Sequence, residues 1–219
     1  MAINYYDMTG VLILDQVTPV IKALFNGYNL DGSFPGKGQA YIANISESSN
    51  CSWYSVCENL ESLAKELGLK IDESNMIEEV LSVLASHFSA NQNNDLANLM
   101  ENSTFEDDAS LDALFTIAKA FDDGHGLKAF KYEGCWHCDK PRLDNFGGHG
   151  EFTGSHVTVR GSSTGIVELG EKLEAAIESG NTNKAAELIC KQVSSLLAGI
   201  YDEVVRKEVA NNLVQMLSA

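Results

Sequence analysis

Basic side chains are scarce in this sequence of 219 residues, which has 15 Lys and Arg against 31 Asp and Glu and a formal net charge of −16. A surface of that sign repels phosphate groups, so nonspecific binding to nucleic acid or to an anionic membrane is disfavoured. Proline is also rare, at 3 residues, and charged residues make up 21% of the chain. This is the composition of a globular domain rather than of a disordered segment or a fibre.

The sequence also has little that points to export or to disulfide bonds. No Lys or Arg occurs in the first fifteen residues, and the apolar run at 11–14 is too short for a signal peptide or a membrane span. The 5 cysteines are an odd number in a chain large enough to fold without cross-links, which favours reduced thiols. We therefore expect a cytoplasmic protein.

Hydrophobic periodicity and turn residues predict the order of the elements. Strands are predicted at 10–14, 39–45, 127–132 and 152–160, and the segment 30–38 is predicted to be a turn. A helix is predicted to start at Thr18-Pro19, followed by helices at 53–67, 76–88 and 111–121, with one short helix inside the loop 89–104. Gly68 is the predicted stop of the second of these helices.

These elements predict an α+β fold in which a small, mostly antiparallel sheet of about four strands is covered by several helices. We expect a single domain over residues 1–219. Within it, residues 124–165 form a loop-rich β-segment with nine glycines, four histidines and two cysteines, and residues 166–219 form three closing helices.

The first candidate site is a zinc site within residues 124–165. Cys135 and Cys138 have the C-x-x-C spacing with which two thiolates reach one ion from a tight turn, and His149 and His156 could complete a tetrahedral set. The alternative is that the cysteines are small buried side chains and that the histidines bond locally.

A catalytic version of this site adds Glu151. The sequence His149-Gly150-Glu151, together with the C-x-x-C, resembles the zinc nucleobase deaminases, and the resemblance implies a metal-activated water with Glu151 as the proton shuttle. In that family the H-x-E precedes the cysteines and a proline leads the C-x-x-C, whereas here the order is reversed and Gly134 precedes Cys135.

The second candidate site is the segment Gly161-Ser162-Ser163-Thr164-Gly165. It has the G-x-S-x-G pattern that resembles the nucleophile elbow of the α/β-hydrolases, with Ser163 as nucleophile, but no histidine follows Ser163 in the chain. The same loop, with Arg160, Gly161, Ser162, Ser163 and Thr164, could hold a phosphate or carboxylate at a helix N-terminus. The alternative is an ordinary helix cap.

The acidic charge is concentrated in residues 58–123, which hold fifteen acidic and three basic side chains and so carry a net charge of −12. The leading hypothesis is a nonenzymatic binding or accessory protein whose acidic helices meet a basic partner protein, such as a toxin or nuclease that it inhibits. Solvated helix faces would explain the same charge without a partner. The second hypothesis is a zinc protein, structural or hydrolytic, built on Cys135, Cys138, His149 and His156.

Overall fold

The computed structural model of the protein describes residues 3–71, 76–140, 142–143 and 145–218. The chain divides into two compact units. We call Tyr6–Phe130 the N-terminal unit, and Met1–Tyr5 together with Lys131–Ala219 the C-terminal unit. The single domain expected over residues 1–219 stays a prediction.

The described residues form six strands and eight α-helices. The strands are β1 (Asn4–Ile13), β2 (Asp31–Pro35), β3 (Gln39–Asn44), β4 (Ala129–Cys138), β5 (Gly147–Gly154) and β6 (Thr158–Ser162). The helices are α1 (Pro19–Phe25), α2 (Trp53–Glu66), α3 (Ile77–His87), α4 (Asn94–Asn102), α5 (Leu111–Ala120), α6 (Ser163–Glu178), α7 (Thr182–Ala198) and α8 (Glu203–Leu217).

The α+β class is confirmed, with six strands where the sequence predicts about four. In the N-terminal unit, hydrogen bonds join the strands in the order β2-β3-β1, and in the C-terminal unit in the order β4-β5-β6. One additional strand, β2, lies in the segment predicted to be a turn. The other arises because the single strand predicted at 152–160 is a hairpin, in which β5 turns back into β6 and Thr153 faces Thr158.

The N-terminal unit holds the main hydrophobic core. Antiparallel pairing of β1 with β3 places Leu12 opposite Ala40, and both side chains are buried. Helix α1 starts where predicted: the backbone N–H of Ile21 donates to the Thr18 hydroxyl, and Pro19 occupies the first turn, where its missing N–H costs nothing. Five of its seven residues are buried, so this short helix is held by packing rather than by its own propensity.

Helix α2 buries the face that its periodicity predicts, including Val56, Leu60 and Leu63. It stops at the predicted glycine: Gly68 has φ of 72°, a left-handed conformation that glycine adopts without steric cost. The N–H of Leu69 then reaches back to the carbonyl of Ala64 at 2.9 Å, which satisfies an otherwise open helix end.

The C-terminal unit is built on the β5–β6 hairpin and on α6, α7 and α8. The chain between α7 and α8 pairs with the start of β6. The N–H of Thr158 donates to the carbonyl of Gly199 at 2.9 Å, and the N–H of Tyr201 donates to the carbonyl of His156 at 3.1 Å. The three predicted closing helices are present, with α6 beginning at Ser163. Among the described residues of these helices, only Ala176 is buried.

In the part of the chain that the structure describes, no helix combines the length and the apolar character needed to cross a bilayer.

Candidate functional site

Cys135 and Cys138 both lie in β4, three positions apart. Successive side chains of a strand point to opposite faces, so an odd separation places the two thiols on different sides. Cys135 is exposed, whereas Cys138 is 4% exposed, with its Sγ 3.5 Å from Asp139 Oδ1. The sequence motif therefore lies on an extended strand rather than on the tight turn from which a C-x-x-C chelates.

The two candidate histidines lie at opposite ends of the β5–β6 hairpin. His149 contacts the rings of Tyr132 and Trp136, at centroid distances of 5.4 and 6.0 Å. His156 is exposed at the turn, and the four steps along the strand from His149 to Thr153 alone span roughly 13 Å. Among residues 3–71, 76–140, 142–143 and 145–218, no group of three or more His, Cys, Asp or Glu is placed to hold a metal ion.

Among the described residues of the C-terminal unit, Glu151 is the most buried charged residue, with 7% of its side chain exposed. Arg160 faces it across the hairpin and donates from Nη2 to Oε1 at 2.9 Å and from Nε to Oε2 at 2.8 Å. The hydroxyls of Tyr132 and Thr153 donate to the same carboxylate at 3.1 and 2.9 Å. This geometry is that of a bidentate ion pair with supporting hydroxyls, and it holds β4, β5 and β6 together.

The segment 160–164 joins β6 to α6 beside a cleft of about 400 Å³ that His149, Glu151, Arg160 and Gln192 help to line. The hydroxyl oxygen of Ser162 accepts the N–H of Gly165 at 3.1 Å and caps α6. The hydroxyl of Ser163 accepts the N–H of Gly148 at 2.9 Å. Both serine oxygens therefore accept hydrogen bonds from backbone N–H groups, and the charge of the Arg160 guanidinium is neutralised by Glu151. Thr164 is exposed.

A different cleft, of about 290 Å³, lies in the N-terminal unit. It combines aromatic rings with carboxylates, and we call it the acidic aromatic cleft; its lining residues are Trp53, Tyr54, Cys57, Glu58, Glu61, Ile77 and Phe105. Trp53 is 6% exposed and meets Phe105 edge to face at 4.8 Å, which fixes the floor of the cleft. Tyr54 is 73% exposed and leaves its ring open to a ligand.

The electrostatic field in this cleft is negative. Burial raises the pKa of the Cys57 thiol to about 11, and the carboxylates of Glu61, Glu58 and Glu78 add to that rise. A hydrogen bond to Glu58 and the charge of that carboxylate raise the pKa of the exposed Tyr54 phenol. Tyr54 and Cys57, about one turn apart on α2, are thus both affected by the same cluster of carboxylates.

The loop that carries Phe105 has an unusual backbone. Phe105 and Asp107 both adopt left-handed conformations, with φ of 51° and 59°, in which side chains other than glycine are strained. The loop is fastened to α2, because Trp53 donates its N–H to the carbonyl of Asp107 at 3.0 Å and Ala109 donates to Cys51 at 2.8 Å. Backbone strain of this kind occurs at ligand sites, where the surrounding structure holds it.

Sequence reasoning identified the acidic segment but missed the aromatic residues that shape its cleft. The available signal was the pair Trp53-Tyr54 at the start of a helix, together with an aromatic residue, Phe105, directly before Glu106-Asp107-Asp108.

Sequence reasoning also missed His125, which is 2% exposed. Its Nε2 lies 2.9 Å from the carbonyl of Ala118, and its Nδ1 accepts the N–H of Leu127 at 2.8 Å. His125 is a structural residue.

A larger cleft of the N-terminal unit, about 830 Å³, lies between α1 and α2. Its polar lining is mixed, with amides such as Gln16 and Asn59 and one charge of each sign, Lys22 and Glu66. It therefore lacks the convergent charge of the acidic aromatic cleft.

No family model, no curated protein and no solved structure matches this chain. Its function is therefore argued from its own residues.

Proposed function

We propose that this protein is a nonenzymatic binding or accessory protein that recognises a basic partner protein, and that an Arg or Lys side chain of the partner enters the acidic aromatic cleft. The observation that carries the proposal is the convergence of exposed Tyr54, half-buried Phe105 and the carboxylates of Glu58 and Glu61 in one cleft. A helix face whose carboxylates only interact with solvent does not require aromatic side chains beside it, so this combination favours a binding site.

The chemistry of the cleft matches a long cationic side chain. The stem of Arg or Lys can lie against Phe105 and Tyr54, whose ring face attracts a cation. The guanidinium or ammonium group then meets Glu58 and Glu61 in charge-assisted hydrogen bonds, and the nearby carboxylate of Glu78 adds to the negative field. Glu61 forms an ion pair with Lys65 Nζ at 3.7 Å, and because that lysine is mostly exposed, the contact is easily exchanged for a partner's charge.

The net charge of residues 58–123 should raise the rate at which a basic partner associates. Residues 58–123 carry a net charge of −12, and complementary charge raises the association rate more than it changes the final contacts. Binding should therefore weaken steeply as salt is added. We also propose a cytoplasmic location, which is in keeping with the five free cysteines.

The test is fluorescence anisotropy of a labelled Arg-rich peptide with the full chain. Replacing Glu58, Glu61 and Glu78 by Gln should raise the dissociation constant about tenfold or more, because two charge pairs in the cleft and the field of a third carboxylate beside it are lost. The matched control replaces three glutamates of α6 by Gln, which changes the net charge equally; these are Glu168, Glu171 and Glu174.

The control variant should bind within about threefold of wild type, since long-range charge alone is screened at physiological salt. Tyr54→Ala should also weaken binding, because the ring is the exposed wall of the cleft. Equal losses in the cleft variant and in the control variant would show that only net charge matters and would refute the proposal.

The alternative, a structural or hydrolytic zinc protein built on Cys135, Cys138, His149 and His156, stays a prediction. Elemental analysis of the untagged protein, with a Cys135→Ser/Cys138→Ser variant beside it, tests it directly. Near-stoichiometric zinc that disappears in the variant would place this alternative first.

A further inference from the structure

The acidic aromatic cleft is built from groups whose positions are set before a ligand binds. Tyr54, Glu58 and Glu61 follow one another at spacings of four and three residues on α2, which makes them neighbours on one face of the helix. Phe105 comes from the loop that backbone hydrogen bonds fasten to the start of α2. A side chain that enters the cleft therefore meets two rings and two carboxylates together.

The ring of Tyr54 and the carboxylate of Glu58 form one unit. The Tyr54 hydroxyl donates a hydrogen bond to Glu58, and the ring is mostly exposed. A flat cation that rests on this ring thus lies close to the carboxylate. The guanidinium of arginine is flat and stacks on aromatic faces, whereas the ammonium of lysine is a compact and strongly hydrated charge.

The side chain of Glu61 is largely withdrawn from water. It is 21% exposed, and the ammonium of Lys65 lies 3.7 Å from its carboxylate, beyond the distance of a hydrogen bond. A carboxylate in this environment gains most from a charged donor at about 2.7–2.9 Å. A cation must lose part of its water shell to approach so closely, and a guanidinium loses it more readily than an ammonium because it is more weakly hydrated.

The rest of the lining suits the apolar stem of the same side chain. Ile77 and Cys57 line the cleft, and burial raises the pKa of the Cys57 thiol to about 11, so that this group is uncharged at neutral pH. The methylene groups of a long cationic side chain can pack against such a lining while the charged end reaches Glu58 and Glu61.

We propose that the side chain recognised by the acidic aromatic cleft is arginine, in preference to lysine and to methylated lysine, a choice that rests on the proposed function and narrows it. A guanidinium has five N–H donors in a planar fork, so it can bond both carboxylates while its face lies on Tyr54. An ammonium has three donors and no flat face. A trimethylated ammonium has no N–H donor for Glu58 or Glu61.

The test compares labelled peptides of equal length and charge, with arginine, lysine or trimethyl-lysine at every basic position, by fluorescence anisotropy with the full chain. Equal charge makes the long-range attraction equal, so a difference in affinity reports the contacts inside the cleft. At physiological salt, the lysine and trimethyl-lysine peptides should each bind at least about tenfold more weakly than the arginine peptide.

A variant of Tyr54 shows whether this preference arises in the cleft. Tyr54→Leu keeps an apolar side chain at an exposed position but removes the flat ring, so the preference for arginine over lysine should fall to within about threefold. Phe34→Leu is the matched control, because Phe34 is also an exposed aromatic residue of the N-terminal unit but lies outside the cleft. Its preference should equal that of wild type.

The measurements distinguish failure of this proposal from failure of the proposed function. Equal binding of the arginine and lysine peptides, a trimethyl-lysine peptide that binds as tightly as the arginine peptide, or a preference unchanged in Tyr54→Leu overturns the choice of arginine. If replacing Glu58, Glu61 and Glu78 by Gln still weakens all three peptides, the proposed function stands without it. If those replacements leave the binding of the arginine peptide unchanged, both proposals are wrong.

Discussion

The ion pair between Glu151 and Arg160 allows the loss of a buried, bidentate pair to be compared with the loss of an exposed pair. Its carboxylate is 7% exposed and its guanidinium 55% exposed, at an Nε to Oε2 distance of 2.8 Å. The pair between Lys172 and Glu168 has the same distance, also 2.8 Å, but both side chains are more than half exposed. A difference between the two in a stability measurement therefore reports burial together with the bidentate contact and the two supporting hydroxyls.

The perturbation is Arg160→Met, which keeps the length of the side chain but removes its charge. Breaking a fully buried ion pair costs about 3–5 kcal/mol, because an uncompensated charge is left behind. Here water can enter where the half-exposed arginine was, and Tyr132 and Thr153 still donate to the carboxylate. We therefore expect a loss of about 2 kcal/mol in the free energy of unfolding, between the buried and the surface limits.

The assay is urea unfolding followed by circular dichroism. Glu151→Gln and the double variant Glu151→Gln/Arg160→Met complete a double-mutant cycle, in which the coupling energy should be about 1 kcal/mol. Lys172→Met is the matched control and should leave the urea midpoint unchanged. If Arg160→Met and Lys172→Met shift the urea midpoint equally, the Glu151–Arg160 pair stabilises the protein no more than an exposed pair does, which would refute the prediction.

Three further predictions concern Gly27, Gly170 and the thiol of Cys57. Gly27→Ala should destabilise the protein by about 1–3 kcal/mol, because the added Cβ would collide with the backbone carbonyl of Asn50. Gly170→Ala should instead stabilise the protein by about 1 kcal/mol, because Gly170 lies in an exposed helix and its added Cβ would meet nothing within 4 Å. Differential scanning calorimetry of the two variants checks both signs, and a stable Gly27→Ala would contradict the close approach. The Cys57 thiol has its pKa raised to about 11 from an ordinary 9.0, so between these values the unfolded chain releases a proton that the folded chain keeps. Stability should therefore fall as the pH rises from 9.0 to about 11, and by less in Cys57→Ala, as measured by urea unfolding at both ends. Parallel pH profiles of wild type and Cys57→Ala would contradict this assignment.

Much of the fold was predictable because local signals agree with the packing. Thr18-Pro19 starts α1, Gly68 ends α2, and the apolar spacing of α2, α3 and α5 marks the faces that are buried. Two strands were not predicted. Every residue of the segment Asp31–Pro35 is exposed and the segment is rich in turn residues, so its pairing with β3 has no local hydrophobic signal.

The candidate sites were less predictable, because ligand geometry depends on which secondary structure holds a motif. C-x-x-C is compact in a turn but splits across two faces in a strand, and residues 135–138 gave no local signal that separates the two. The pairing of Glu151 with Arg160 also depends on a hairpin that had been predicted as one strand. A carboxylate and an arginine nine residues apart meet only when the register of that hairpin is known.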